Sequence, residues 1–434
     1  MTRKLFKGGE MYVDGKVSYG DLIVVDGKIS EVLNGGYKGD EFGGEVVDCR
    51  GKLILPGLID VHVHFREPGH GHKEDWATGS RAAATGGVTT VIDMPNNNPP
   101  VITKEDFENK ERLIGDRSVV NYGLYMGYNG ENVAEINAVK GARGVKIYCA
   151  HSTGNMGISD EYLERAFVEI DKDKLLLFHC EDEECMAVKE REYREKYNED
   201  LEVWMHSEIR SANCALKMVR RVMELVEKYH RGVHICHVST AAEIDLINKY
   251  RKFGVTCEVA PHHLFLSTDD YEHLGSLVKM NPPMRDRESV FDLWKCVKAE
   301  MVDIIATDHA PHTLEEKSLP FPGCPSGVPG VEMMLPLLLN MVNDDGLDIS
   351  EVVRMCCEHP AKIFGFEKKG SLRAGFDADL VVVDMELERK VERENVVSKC
   401  GWSPYEGVVL KGWPVMTFVA GENVSEVSST LLKD

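Results

Sequence analysis

The sequence predicts an α/β fold: a (β/α)8 TIM-type barrel with a small β-sandwich domain formed by both termini. Three observations predict it. Across residues 56–365, short apolar segments alternate with helix-like segments in eight strand–helix units. The two ends, 1–55 and 366–434, instead carry strand patterns broken by tight-turn signals. Finally, ionisable residues collect where the predicted barrel strands end, the face on which such barrels carry their chemistry.

Taken in order, the N-terminal segment shows Val13-Asp-Gly-Lys and Val25-Asp-Gly-Lys, both with the Asp-Gly hairpin signal. Barrel strands are expected to begin near Leu58, Val88, Val119, Gly144, Leu175, Val233, Val255 and Val302. Helical patterns lie between them, at 75–86, 131–140, 160–171, 208–230, 240–252 and 288–300. Parallel strands covered on both faces read as apolar runs, and Val88-Thr-Thr-Val-Ile-Asp-Met and Lys174-Leu-Leu-Leu-Phe-His fit that description. After the barrel, Gly370-Ser-Leu-Arg-Ala-Gly-Phe-Asp-Ala-Asp-Leu-Val-Val-Val-Asp is turn, turn, strand, and Thr417-Phe-Val-Ala-Gly adds another strand.

The chain has 434 residues, 43% hydrophobic and 28% charged, as expected of an ordinary globular protein. Its formal net charge of −21 argues against nucleic acid or an anionic membrane as partner. An anionic small molecule would need locally placed Arg or His. There is no secretory leader and no apolar run of membrane-spanning length, so a cytoplasmic location is expected. The 12 Cys include no Cys-x-x-Cys pair and read as reduced, buried thiols.

The chemistry is read from what closes each strand. In Leu58-Ile-Asp-Val-His-Val-His-Phe-Arg, His62 and His64 stand two apart and so share one face of a strand. Such a pair is half a divalent metal site. Arg66 continues the alternation and puts a fixed positive charge beside it. Asn96 follows the second strand, Lys146 lies in the fourth, His179 ends the fifth, His237 the sixth and Asp308 the eighth. Taken singly, a strand-end His is usually a hydrogen-bonded core residue, a strand Lys a solvated one and an Asp before a loop a cap. Six ionisable groups gathered in a barrel interior need a metal to compensate them. Lys146 is the odd member, because a protonated ammonium would repel cations. Carbamylation by carbon dioxide would convert it to an anionic ligand able to bridge two metals about 3.5–4 Å apart.

These residues resemble the amidohydrolase superfamily and, within it, the long-chain dihydroorotase family of bacteria and archaea. The resemblance covers essentially the whole chain. It is carried by Asp60-Val-His-Val-His-Phe-Arg-Glu-Pro-Gly, Asp93-Met-Pro-Asn-Asn-Asn-Pro, Thr307-Asp-His-Ala-Pro-His and Pro325-Ser-Gly-Val-Pro-Gly-Val-Glu. It implies two Zn2+ per chain, the first held by His62, His64 and Asp308 and the second by His179 and His237. Carbamylated Lys146 would be the bridge, with Asp160 in Gly157-Ile-Ser-Asp as the alternative. It implies substrate contacts from His64, Arg66, Asn96, Asn281, His312 and the backbone at Ser326 and Gly327. Arg66 and Asn96 would hold a carboxylate, which a guanidinium fork suits.

The implied reaction is reversible cyclisation of N-carbamoyl-L-aspartate to L-dihydroorotate in pyrimidine biosynthesis, with Asp308 as acid and base. The alternatives are an allantoinase or hydantoinase, which need no carboxylate fork after the second histidine, and an inactive scaffold, which would lack ligands. Here all six ligand positions are filled. The lid is expected in segment 309–330, rich in Pro and Gly. Homo-oligomerisation, or association with a pathway enzyme, stays open.

Overall fold

The computed structural model describes residues 2–150 and 156–425. The N-terminal arm consists of β1 (Arg3–Val13), β2 (Lys16–Val25), β3 (Lys28–Asn34), β4 (Glu45–Asp48) and β5 (Leu53–Pro56). Both Asp-Gly pairs form hairpin turns, with φ of 48° and 83° at Asp14 and Gly15 and 47° and 76° at Asp26 and Gly27. Two successive positive φ values define the type I′ turn, whose twist matches that of antiparallel strands.

The barrel follows: β6 (Leu58–Val63), β7 (Val88–Asp93), β8 (Asn121–Leu124), β9 (Met126–Gly127), β10 (Val145–Tyr148), β11 (Leu176–His179), β12 (Val233–Ile235), β13 (Thr256–Val259) and β14 (Ile304–Ile305). All neighbouring pairs are parallel. β8 and β9 are one barrel strand bent at Tyr125. Tyr125 N donates to Asp93 O on one side, and Met126 N donates to Gly144 O on the other. The ring closes where Val63 pairs with His309 and His64 N donates to His309 O at 2.8 Å. The expected strand starts agree with the observed ones to within two residues.

Alternation along the strands sets what points where. Val145, Ile147, Leu176 and Phe178 pack outward in the layer beneath the helices, while Leu177 packs in the barrel interior. Lys146, Tyr148 and His179 alternate with the outward set and so face inward. Below them Ile59, Val61, Ile92 and Ile304 fill the interior, and Phe364 packs edge-on against Tyr125 and His234. The lower barrel is therefore apolar and the upper barrel polar.

The chain then returns to the small sheet with β15 (Leu380–Lys390), β16 (Val409–Val419) and β17 (Glu422–Asn423). Strands from both ends form one eight-stranded sheet, ordered β17-β16-β15-β5-β1-β2-β3, with β4 beside β1. Phe6 on β1 and Phe418 on β16 are three strands apart, yet their rings meet at 4.7 Å. The sheet thus folds over its own core, which also holds Leu22, Ile29 and Leu380.

Three features differ from expectation. Helix 208–230 is two helices, Met205–Ile209 and Ala212–Tyr229, because Ser211 is extended where Arg210 turns toward the barrel. Helices Lys104–Ile114, Glu183–Tyr197 and Met334–Asn343 are additional. Cysteine behaviour also needs correction: ten are free and buried, but Cys185 and Cys214 form a disulfide between the first turns of helices 183–197 and 212–229. At a sequence separation of 29, no local motif could announce the pair. No helix among the described residues is long and apolar enough to cross a membrane.

Candidate metal centre

The first half of the site is built on β6 and the turn after β14. His62 gives Nδ1 to the Glu258 carboxylate on β13, which leaves Nε2 3.3 Å from Asp308 Oδ1. His64 Nε2 lies 3.0 Å from the same oxygen, and its Nδ1 lies 2.7 Å from Asn96 Oδ1. Buried Asp60 accepts from Thr307 N and Thr307 Oγ1, fixing the backbone just before Asp308, whose φ is 45°. Burial alone would raise the Asp308 carboxyl, but His62, His64 and His237 outweigh it and hold it well below the usual range. Burial pushes His64 down to about 4. Burial and Lys146 also oppose charge on His62, but Glu258 and Asp308 overcome them and hold it up at about 10. A cation bound at Nε2 would replace that proton.

The second half joins the ends of β11 and β12. His179 Nδ1 and His237 Nε2 converge to 2.9 Å. His179 Nε2 is 2.7 Å from Glu181, which Arg210 grips through Nε at 3.0 Å and a second guanidinium nitrogen. Burial disfavours the Glu181 carboxylate, yet Arg210 and His179 hold its pKa below the usual range. Burial pushes the pKa of both His179 and His237 down, against Glu181 in the case of His179.

Lys146, on β10 beside β11, lines the same cavity as both halves. Its Nζ is buried without a hydrogen-bond partner among the described residues, as is His237 Nδ1. One atom each from His62, His237 and Asp308 lies within 4.8 Å of the others, a spacing that fits a cation. An isolated buried ammonium is costly, so the donor set fits metal ions better than it fits an empty core. Asp160, the alternative bridge, does not join them. It is exposed at the start of helix Asp160–Glu169 and pairs with Arg221 at 3.4 Å. As the first residue of a helix it points to solvent.

The cavity in front of these groups is lined by His62, His64, Arg66, Asn96, Lys146, His179, His237, Asn281, Asp308, Ser326 and Gly327, together with Tyr148 and Ala310. Arg66 is buried with φ of 64°, and its Nε donates to Pro311 O at 3.0 Å. His312 does not line the cavity. It stands behind Arg66, 3.1 Å from the guanidinium, with Nε2 3.0 Å from Ser326 O and Nδ1 accepting from Lys73. Asn281 Oδ1 accepts from His206 Nε2 at 2.8 Å. Segment 309–330, the expected lid, is a braced wall: Ala310 N donates to Val328 O, and buried Lys317 Nζ donates to three backbone carbonyls.

Four residues escaped the sequence reading. Glu258 could have been found as a carboxylate inside the apolar strand run Val255-Thr-Cys-Glu-Val, and Glu181 as the residue two after His179. Tyr148, two after Lys146, shares its strand face. Arg210 carried no local signal.

The amidohydrolase family model matches residues 53–424. The chain is 37% identical to a dihydroorotase of Methanosarcina acetivorans, over 96% of this chain and 90% of that protein. It is 35% identical to a dihydroorotase of Bacillus cytotoxicus, over 99% of each. Among solved structures, an L-hydantoinase (dihydropyrimidinase) from Arthrobacter aurescens superposes with a TM-score of 0.91 at 29% identity, over 98% of this chain and 96% of that one.

Proposed function

The chain belongs to the amidohydrolase family, and on that premise we propose that it is a dihydroorotase, interconverting N-carbamoyl-L-aspartate and L-dihydroorotate in de novo pyrimidine synthesis. The observation that carries this reading is Arg66. In a chain of net charge −21, a buried guanidinium opens onto the same cavity as four histidines, Lys146 and Asp308. A buried cation at the edge of a metal site is a receptor for a carboxylate. Dihydroorotate carries one beside its cyclic amide, and the hydantoin ring does not.

Two zinc ions would be held by His62, His64 and Asp308 and by His179 and His237, with carbamylated Lys146 as a further ligand. Bound there, they would supply Lewis acidity, bringing water toward a pKa of about 7 and polarising a carbonyl. Arg66, with Asn96 beside it, fixes the substrate carboxylate and thereby aims the ring amide at the cluster. Asp308, held as a carboxylate between histidines, takes the proton of the attacking water and returns it to the departing ring nitrogen. In cyclisation the same oxygen delivers the proton to the leaving water. Asn281 and the backbone at Ser326 and Gly327 border the rest of the ring. His312, whose Nε2 donates to Ser326 O, packs behind the guanidinium. The reading gives the enzyme a cytoplasmic location and a small-molecule partner.

The experiment is turnover of dihydroorotate, allantoin and hydantoin side by side, in the wild type and in Arg66→Gln. The expected result is dihydroorotate turnover that falls at least about 100-fold in the variant, the size of a lost charge-assisted pair. Preference for hydantoin in the wild type would replace this reading with that of the structural neighbour.

A further inference from the structure

One cavity-lining group has no part in the reaction as described. Tyr148 ends β10, two residues after Lys146 and on the same face. Its ring leans on His179 at a centroid distance of 6.0 Å, and Lys146 Nζ lies 5.2 Å from its centroid. The side chain is almost wholly buried, yet its hydroxyl has no hydrogen-bond partner among the described residues. Tyr148 thus shares its cavity with the group that moves the proton, the group that anchors the substrate and the histidines. A buried hydroxyl without a partner carries a desolvation cost that a phenylalanine at this position would avoid.

We propose that Tyr148 is a further catalytic residue: its phenol donates a hydrogen bond to the amide carbonyl oxygen as attack turns that oxygen into an oxyanion. The tyrosine makes and breaks no covalent bond. Its proton stays on the phenol oxygen, which ordinarily titrates near 10 and is therefore a donor at neutral pH. A fixed donor aimed at developing charge works mainly on the transition state. The inference rests on the cyclic-amide reading of the site.

The test is Tyr148→Phe. Turnover by the wild type decides the cyclic-amide reading, and the ratio of variant to wild type decides the role of Tyr148, on whichever cyclic amide the wild type accepts. The expected result is a kcat lower by about 10²–10³-fold, the usual cost of one oxyanion donor. KM should stay within about threefold, metal content should be unchanged, and Tm should be equal or higher because a stranded hydroxyl is gone. By calorimetry, a tetrahedral phosphinate analogue of the ring should lose affinity by the same factor, while dihydroorotate should not. A kcat within about twofold of wild type, a rise in KM alone, or loss of metal would each overturn the proposal. Should the substitution upset folding, a ring-fluorinated tyrosine at 148, which keeps the shape and the donor, should hold kcat within about threefold of the wild type, and a loss as large as that of the phenylalanine variant would overturn the proposal.

Discussion

His62 and His179 each hand one ring nitrogen to a buried carboxylate, but the two carboxylates belong to different kinds of structure. Glu258 is part of strand β13 and also meets His234 Nε2 at 3.0 Å and His237 N at 3.2 Å. Its position follows from barrel register. Glu181 sits past the end of β11, and Arg210, which grips it, lies 29 residues further on between two helices. That pair is held by ties outside the barrel. Asp182 N donates to Cys214 O, Lys217 reaches Asp182 at 2.9 Å, and the Cys185–Cys214 disulfide joins the helix starts. The comparison teaches that carboxylates which orient the histidines of a candidate metal centre need not share an origin. One half is set by the sheet, the other by a clamp of loops.

The largest expected effect falls on the residue in contact with both histidines of the first half. Asp308→Asn should lower turnover of dihydroorotate by about 10²–10⁴-fold, as loss of a general acid–base group does. Circular dichroism should show an intact fold, because the turn is fixed by Asp60 and Thr307 rather than by Asp308 itself. Near-normal turnover would remove Asp308 from the chemistry and leave the first half with no reactive group.

The two carboxylates can then be set against each other. Glu258→Ala strands three partners deep in the barrel and should cost about 3–5 kcal/mol of stability. Glu181→Ala leaves Arg210, which keeps 13% of its side-chain surface exposed, free to reach water, and should cost about 1–2 kcal/mol. Each should weaken metal binding by about 10–100-fold. Denaturant unfolding and metal titration measure both quantities. Equal stability losses would mean that strand and loop brace their histidines alike.

Much of this arrangement was legible in the sequence, for identifiable reasons. The barrel strands are apolar runs because both faces are covered, and a residue such as His179 or His237 that breaks such a run marks its end. His62 and His64 declare a shared face through their spacing alone. What was not legible depends on contacts between distant segments. Arg210 looks like any helix-surface arginine until the chain is folded, and the Cys185–Cys214 pair spans two helices. Asp160 read as a candidate ligand because loop position is visible in sequence while side-chain direction is not. His312 was read as a substrate contact, but the structure places it behind Arg66, with Nε2 on Ser326 O.

The clamp itself can be opened. The double variant Cys185→Ser, Cys214→Ser should lose about 3–4 kcal/mol, the chain-entropy value for a loop of this length. A dithiol reductant, itself oxidised as the bond opens to two thiols, should do the same. Metal release to a chelator should become biphasic, with about one equivalent leaving faster. Uniform acceleration of both equivalents would show that the loops brace the whole cluster and would erase the distinction between its halves.

The smallest effect probes the outer support of the first half. His309, which closes the barrel beside Asp308, is backed by Glu74, and Glu74 and Glu332 together grip residues 397–399 through their backbone amides and the Ser398 hydroxyl. Burial raises the Glu332 carboxyl to about 7; its backbone hydrogen bonds to Val397 and Ser398 oppose that rise, and the charge of Glu74 adds to it. The folded chain therefore holds a proton that the unfolded chain releases near the ordinary carboxylate pKa. The resulting stability is fully present below about 4.5 and is lost as pH rises through about 7. Between pH 6 and 8 the loss should be roughly 1 kcal/mol. Glu332→Gln, which cannot ionise, should flatten that slope, so its stability relative to wild type should improve as pH rises. Unfolding curves at pH 6, 7 and 8 measure it. Parallel slopes in the two proteins would mean that Glu332 is ionised throughout and that the first half owes its support to the strands alone.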